Sequence, residues 1–408
     1  MTKITRRHFI TTSAVAATAV LVHGCTSDSS TTSSSPAAAP AAGGGDTPET
    51  TKAKLGFIAL TDSAPLIIAK EKGFFAKYGM KDVEVLKQAS WAVTRDNIEL
   101  GSGAGGIDGA HILTPMPYQL TAGKITKGNR PLPMNILARL NTNGQGITVA
   151  NAYRNLALDV RSGKLKAAAA EAAKKNDKIK VAMTFPGGTH DMWVRYWLAA
   201  GGIDPDKDVS LIVIPPPQMV ANMQSGTMDV FCVGEPWNDR AISRKLGYSA
   251  VTTGEMWRDH PEKSFAMRAD WVSKHPKAAQ ALTAAIIAAQ VWCDNPANRQ
   301  EMCTIISAEK YVNAPVADII ERIGGTFDMG NGRVLKNSPL AMKFWRNNAS
   351  YPYKSHDTWF LTEHIRWGML PANTNVKALV DQVNKESIWK AAAKQAGQTA
   401  IPTSTSRG

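Results

Sequence analysis

Gly101-Ser102-Gly103-Ala104-Gly105-Gly106 has the G-x-G-x-x-G spacing that lets a backbone approach a pyrophosphate, so it is the first place to look for cofactor chemistry. The spacing fits but the setting does not. That fingerprint must follow a strand and open a helix, whereas these glycines follow a helical pattern and precede a strand, so no cofactor is expected. Glu235-Pro236-Trp237 offers a carboxylate, but no partner carboxylate or nucleophile elbow lies nearby, and Glu235 reads as a group supporting a cleft wall. His356 and His364 are about two helical turns apart, too far for one metal, and Trp359 and Phe360 between them read as core. Cys232, Cys293 and Cys303 show neither C-x-x-C nor histidine at metal spacing, so no metal site is expected. Cys232, in the apolar run VFCV, reads as a buried thiol, and Cys293 and Cys303 could pair in an oxidising compartment. No base, nucleophile and oxyanion donors come together, so catalysis is not expected.

Pro186-Gly187-Gly188-Thr189-His190 suggests binding instead. A glycine-rich turn after a strand opens a helix, Thr189 is placed to cap it with its hydroxyl, and the first free amides would face an anion. His190 follows as the first helical residue and can donate a ring N–H.

Short β-rich runs and longer helical ones alternate from residue 53, which predicts an α/β fold. Strands are expected at 54–60, 82–86, 109–112, 136–139 and 145–149, with helices over 63–78 and 92–100 and a lysine- and alanine-rich helix over 156–175. A second series follows: strands 180–185, 209–214 and 228–233, and helices 190–200 and 218–225. Beyond about 255 the chain reads as helical, strongest over 277–293. One α/β series, a second inserted into it and a return to the first predict a two-lobed periplasmic binding protein (type II-like), each lobe a mixed sheet flanked by helices, with ligand in the interlobe cleft. Lobe 1 would be 53–142 plus 255–408, and lobe 2 would be 143–254.

The 408 residues are 44% hydrophobic and 20% charged, which excludes a wholly disordered chain, and the net charge is +13. Arg6-Arg7 before the short apolar run 13–22 reads as a twin-arginine export signal, and Val22-His23-Gly24-Cys25 is similar to a lipobox, predicting a lipidated Cys25. Residues 26–52, rich in Ser, Thr, Pro, Ala and Gly, read as a flexible tether. The expected location is the extracytoplasmic face, anchored to the membrane. The remaining basic excess is spread along the body without a dense block, which suits small anions and not nucleic acid.

The strings KLGFIALTDSAPLIIAKEKGFFAKYGM, ASWAVTRDN, GAHILTPMPYQL, PGGTHDMWVRYWL, GEPWN and HPEKSFAMRADWV together resemble the solute-binding components of the ABC transporters for nitrate and, in a sister branch, bicarbonate. The resemblance covers about residues 54–370. It implies an extracytoplasmic receptor that captures nitrate, and nitrite with it, and delivers the anion to a membrane permease and its ATPase. It further implies that Trp91, Gln145, Thr189, His190 and Lys263 contact the ligand, with Gly146 and Glu235 behind them. Lys263 discriminates between the branches. The nitrate branch has a lysine there, whereas the bicarbonate branch has a glutamate that binds calcium. An ammonium compensates a buried anion directly, while a carboxylate can do so only through a divalent cation. Glu262 is adjacent, so a register different by one residue would put a carboxylate in the site. Bicarbonate with calcium, or a sulfonate or other small ligand on the same fold, are the alternatives.

Overall fold

The computed structural model describes residues 47–407. The export signal, Cys25 and most of the tether lie outside the described residues. The tether's last residues belong to the body, because the Glu49 carboxylate accepts hydrogen bonds from the amides of Lys277 (3.1 Å) and Ala278 (3.0 Å) and Lys52 opens the first strand.

Four strands, β1 (Lys52–Phe57), β2 (Asp82–Lys87), β3 (Gly109–Leu113) and β4 (Met134–Arg139), begin one sheet. Five more, β5 (Gln145–Ala150), β6 (Lys180–Met183), β7 (Ser210–Val213), β8 (Val230–Gly234) and β9 (Gly247–Thr252), build a second, and β10 (Lys263–Arg268) returns to the first. The orders are β2-β1-β3-β10-β4 and β7-β6-β8-β5-β9. The sheets share one plan: parallel strands on one side, and one strand, β10 or β5, running antiparallel to both neighbours. This is the two-lobed α/β architecture with mixed sheets flanked by helices.

The helix Pro276–Cys293 packs on the helices Ala64–Glu71 and Glu386–Gln395, and its fully buried Leu282, Ile286 and Ile287 share one core with Leu55 and Phe57 of the first sheet. Each such side chain contributes about 1.5–3 kcal/mol. Its alanines cost little side-chain entropy, and proline at its first position is preset for a helix start. Behind the second sheet, Ile147, Val181 and Trp197 form a separate core, while Trp91, Ile112, Phe231 and Trp237 share a third cluster containing residues of both sheets.

Several elements differ from the sequence expectation. The helix expected over 63–78 breaks into Ala64–Glu71 and Phe74–Lys77 because Gly73 takes a left-handed conformation, φ 71°. The helix expected over 156–175 is confined to Leu165–Lys174, preceded by a 3₁₀ turn, Asn151–Leu156, which ends where Ala157 turns left-handed. Lys263 is the first residue of β10, a strand inside a stretch that reads as helical. Cys232, Cys293 and Cys303 are free, buried thiols, so the pairing of Cys293 with Cys303 does not occur.

The C-terminal third also reaches the second sheet. Arg322, on the helix Ala317–Ile323, is buried and donates to Glu235 (2.6 Å) and Asp239 (3.1 Å). The helix Lys354–Arg366 touches both halves: Asp357 pairs with Arg139 of β4, and Trp359 stacks on Trp193 with ring centroids 5.3 Å apart. No helix among the described residues is long and apolar enough to cross a membrane.

Candidate functional site

In α/β sheets, ligands bind outside the carboxyl ends of the parallel strands. Here two such edges supply one cluster. From the first sheet come Asp62, in the turn after β1, and His111 of β3. From the second come the turn after β6, which leads into the helix Thr189–Ala200, and Gly234, the last residue of β8. The antiparallel strands complete it with their first residues, Gln145 for β5 and Lys263 for β10.

Lys263 lies at the centre and is fully buried. Its Nζ donates to Asp62 Oδ2 and to Glu262 Oε1, each at 2.9 Å. Asp62 Oδ1 lies 2.7 Å from His111 Nε2, and Gln145 Nε2 donates to Asp62 Oδ2 at 3.3 Å. On the other side, Glu262 accepts from the hydroxyl of Thr189 and from Trp193 Nε1 (2.9 Å), and its Oε1 is 3.4 Å from His190 Nε2. His190 Nε2 is 2.7 Å from Gln145 Oε1, and its Nδ1 bonds to the Thr184 hydroxyl. An amide oxygen only accepts, so the His190 proton sits on Nε2 and the ring is a neutral donor.

Burial opposes every charge in this cluster. Asp62 is nevertheless held well below the ordinary carboxylate range, because the Lys263 ammonium and His111 outweigh its burial. Glu262 moves the other way: burial outweighs Lys263 and the donors Thr189 and Trp193, and its carboxyl is raised. The two directions are compatible because one ammonium faces two carboxylates and compensates one of them fully. Lys263 stays charged, since Asp62 and Glu262 together outweigh its burial. His190 is pushed well below its usual range by burial and by Lys263.

Trp91, Gln145, Thr189, His190 and Lys263 are thus brought together. Trp91 opens the helix Trp91–Leu100, capped by the Ser90 side chain. Its ring lies 5.9 Å from Lys263 Nζ and 5.5 Å from His111, and its buried indole N–H has no hydrogen-bond partner. Three expectations need correction. Thr189 does not cap its helix: Gly188 is the cap residue, and the Thr189 hydroxyl is drawn to Glu262. The Gly187 and Gly188 amides, ahead of the helix's own first amides, are engaged by Asp191 Oδ2 (2.7 Å) and Phe185 O (3.0 Å). Glu235 faces Arg322, not the cluster, and Gly146 sits against Asn238, on the opposite face of β5 from Gln145.

Asp62, His111, Trp193, Glu262 and Gly234 complete the cluster; none is a site residue on the sequence reading, where Glu262 enters only as the neighbour of Lys263. A trace of Asp62 was present, as the polar triad Thr61-Asp62-Ser63 interrupts an otherwise apolar run and all three residues are fully buried. Gly234 leaves room: a Cβ there would stand 3.0 Å from Gln145 Oε1 and 3.4 Å from Asp62 Oδ2. Among the described residues, no group of three or more His, Cys, Asp or Glu is arranged to hold a metal ion.

Chemically, Lys263, Thr189 and Trp193 donate to the Glu262 carboxylate with the His190 ring beside it, and the unpartnered indole of Trp91 lies near Lys263.

Comparison with known proteins gives the following. The profile of the NMT1-like family matches residues 46–307. The nitrate/nitrite binding protein NrtA of Nostoc sp. is 59% identical over 419 residues, covering 100% of this chain and 94% of that protein. The bicarbonate-binding protein CmpA of Synechococcus elongatus is 46% identical over 419 residues, covering 99% and 93%. The crystal structure of the periplasmic nitrate-binding protein NrtA from Synechocystis PCC 6803 matches with a TM-score of 0.86 at 59% identity, covering 89% of this chain and 94% of that one.

Proposed function

We infer the function of this chain from the premise that it belongs to the NMT1-like family, in the branch of the nitrate/nitrite-binding proteins. It is the periplasmic solute-binding component of an ABC transporter, which captures nitrate, and nitrite with it, and delivers the anion to the permease and its ATPase. Its task is capture, with no reaction carried out on the anion.

The observation that carries this reading is the fully buried Lys263 ammonium, set between the Asp62 and Glu262 carboxylates with the donors Thr189, Trp193 and His190 around Glu262. A buried anion needs compensating charge and hydrogen bonds, and Lys263, Thr189, Trp193 and His190 are arranged to give both, as they do to the Glu262 carboxylate. The donors converge on a carboxylate, that of Glu262, and a group of that size and shape is matched better by a small planar ion than by a sulfonate with an organic tail. Calcium beside bicarbonate is disfavoured by the same lysine, because its Nζ stands between Asp62 and Glu262, where a divalent cation would otherwise be held.

Trp91, Gln145, Thr189, His190 and Lys263 would contact the anion. The two sheets would be the centres of two lobes, 53–142 with 255–408 and 143–254, which close over it. Cys25 would carry the lipid that holds the mature protein at the membrane.

Calorimetric titration of the protein without its first 25 residues, with nitrate, nitrite and bicarbonate, the last with and without calcium, tests the reading. Metal-independent heat with nitrate supports it. Calcium-dependent heat with bicarbonate and none with nitrate overturns it, and silence with all three points to another small ligand.

A further inference from the structure

The donors expected to hold an oxyanion are already occupied by a group of the protein itself. Glu262 Oε1 accepts from Lys263 Nζ and the Thr189 hydroxyl and lies 3.4 Å from His190 Nε2, while Oε2 accepts from Trp193 Nε1 at 2.9 Å. A carboxylate and nitrate are both planar, trigonal and anionic. Glu262 therefore sits where the ligand's oxygens are expected, held by the same hydrogen bonds.

Charge makes the overlap consequential. With three neutral histidines, the cluster contains Asp62 and Glu262 against Lys263 alone and is one charge negative before any ligand arrives. A second anion in a fully buried site would raise the imbalance to two, at a steep desolvation cost. A proton entering with the anion removes that cost.

The geometry also says where the proton goes. The lone pair of each neighbouring histidine is engaged: His190 Nδ1 with the Thr184 hydroxyl, His260 Nε2 with the Thr253 hydroxyl (2.7 Å) and His111 Nδ1 with the Ile58 amide (3.5 Å). Asp62 is fixed by Lys263, His111 and Gln145. The groups that face Glu262 are Lys263 and His260 on its own segment, Thr189, His190 and Trp193 from the helix after β6, and the Cys232 thiol of β8, with Asp62 beyond Lys263. Of these, Glu262 is the acid that can accept a proton while Asp62 keeps its pair with Lys263, and its raised pKa agrees with that role.

We propose that Glu262 is a tethered competitor for the anion's place, and that nitrate binds together with one proton, which the Glu262 carboxylate takes from solvent as it yields Lys263 and Thr189 to the ligand. The site goes from a carboxylate to a carboxylic acid plus nitrate, and its net charge is unchanged. Occupancy then depends on pH as well as on nitrate. This rests on the nitrate reading above.

The test is nitrate calorimetry on the same protein in phosphate, Hepes and Tris, whose ionisation heats differ, from pH 6.5 to 8.5. Proton uptake approaching one per nitrate at the alkaline end, with affinity falling about tenfold per pH unit there, is expected. Glu262→Gln, which keeps the shape but cannot be ionised, should take up no proton and bind nitrate at pH 8.5 more tightly than the parent. Nitrate binding by the parent without proton uptake across that range overturns the proposal, as does uptake that survives in E262Q. Should E262Q not fold, the parent's pH series alone decides. No nitrate heat at any pH would instead refute the functional reading, a distinguishable outcome.

Discussion

Replacing Lys263 by methionine removes the ammonium while keeping the length of the side chain. Asp62 and Glu262, both fully buried, then lose the positive charge each meets at 2.9 Å. Removing one partner of a buried ion pair costs about 3–5 kcal/mol, because the other charge is left uncompensated. At about 2.1 cal/mol/K of unfolding entropy per residue, a body of roughly 360 residues should lose about 4–7 °C in Tm. The loss should depend on pH with a definite sign. Without Lys263, the folded-state carboxyl pKa values rise above their unfolded values, so stability is regained as pH falls and the deficit is largest above about pH 6. Nitrate binding should weaken by about 2–5 kcal/mol, roughly 30-fold to several thousand-fold. The double variant Lys263→Met with Glu262→Gln separates the two effects: stability should recover in part, and binding should not. Differential scanning fluorimetry at pH 5 and 8, with calorimetry on the same samples, measures both. An unchanged Kd in K263M, or full recovery of binding in the double variant, would refute the assignment of Lys263 as the anion's counter-charge.

Two further outcomes follow from the geometry. Gly234→Ala places a methyl 3.0 Å from Gln145 Oε1 and should disturb the Gln145–His190 hydrogen bond, weakening nitrate about five- to tenfold at nearly constant Tm; an unchanged Kd would show that this contact is irrelevant to the ligand. Burial depresses His260 and His364 from 6.5 to about 4, so on acidification the unfolded state binds their protons first, and each costs the fold up to about 3 kcal/mol between pH 6.5 and 4. Asp239, raised to about 6 by burial, acts in the opposite sense below pH 6, so the test is the difference between the parent and His364→Gln in urea unfolding from pH 7.5 to 4.5. Identical slopes would exclude His364 as a contributor.

The alternation of β-rich and helical runs was legible because period and turn chemistry are local properties of the chain. Most strands up to β8 lie within a few residues of their expected places. The strand that carries Lys263 was not legible. Lys-Ser-Phe-Ala-Met-Arg has neither a clean alternation nor flanking turns, and its place between β3 and β4 is set by pairing with residues more than a hundred positions earlier. The site divides in the same way. Thr189 and His190 were visible from a glycine-rich turn, and Trp91, Gln145 and Lys263 from resemblance to known strings. Asp62, His111 and Trp193 act only through partners far along the chain: Lys263 lies 201 residues from Asp62, and Glu262 lies 69 from Trp193. No local pattern marks such a pairing, and a fully buried lysine runs against the usual fate of the residue type.

The indole of Trp193 links the site to the helix Lys354–Arg366. Its N–H touches the carboxylate at the centre of the site, while its ring stacks on Trp359 at 23° and meets Trp257 edge-on, with centroids 6.2 Å apart. Coupled indoles share their excited states, and the field at one of them is set by the charge on Glu262. The molecule therefore carries a native chromophore array that reaches the buried Glu262 carboxylate. Near-ultraviolet circular dichroism and tryptophan emission can follow the charge on that carboxyl group in real time, without a label, in a stopped-flow cell.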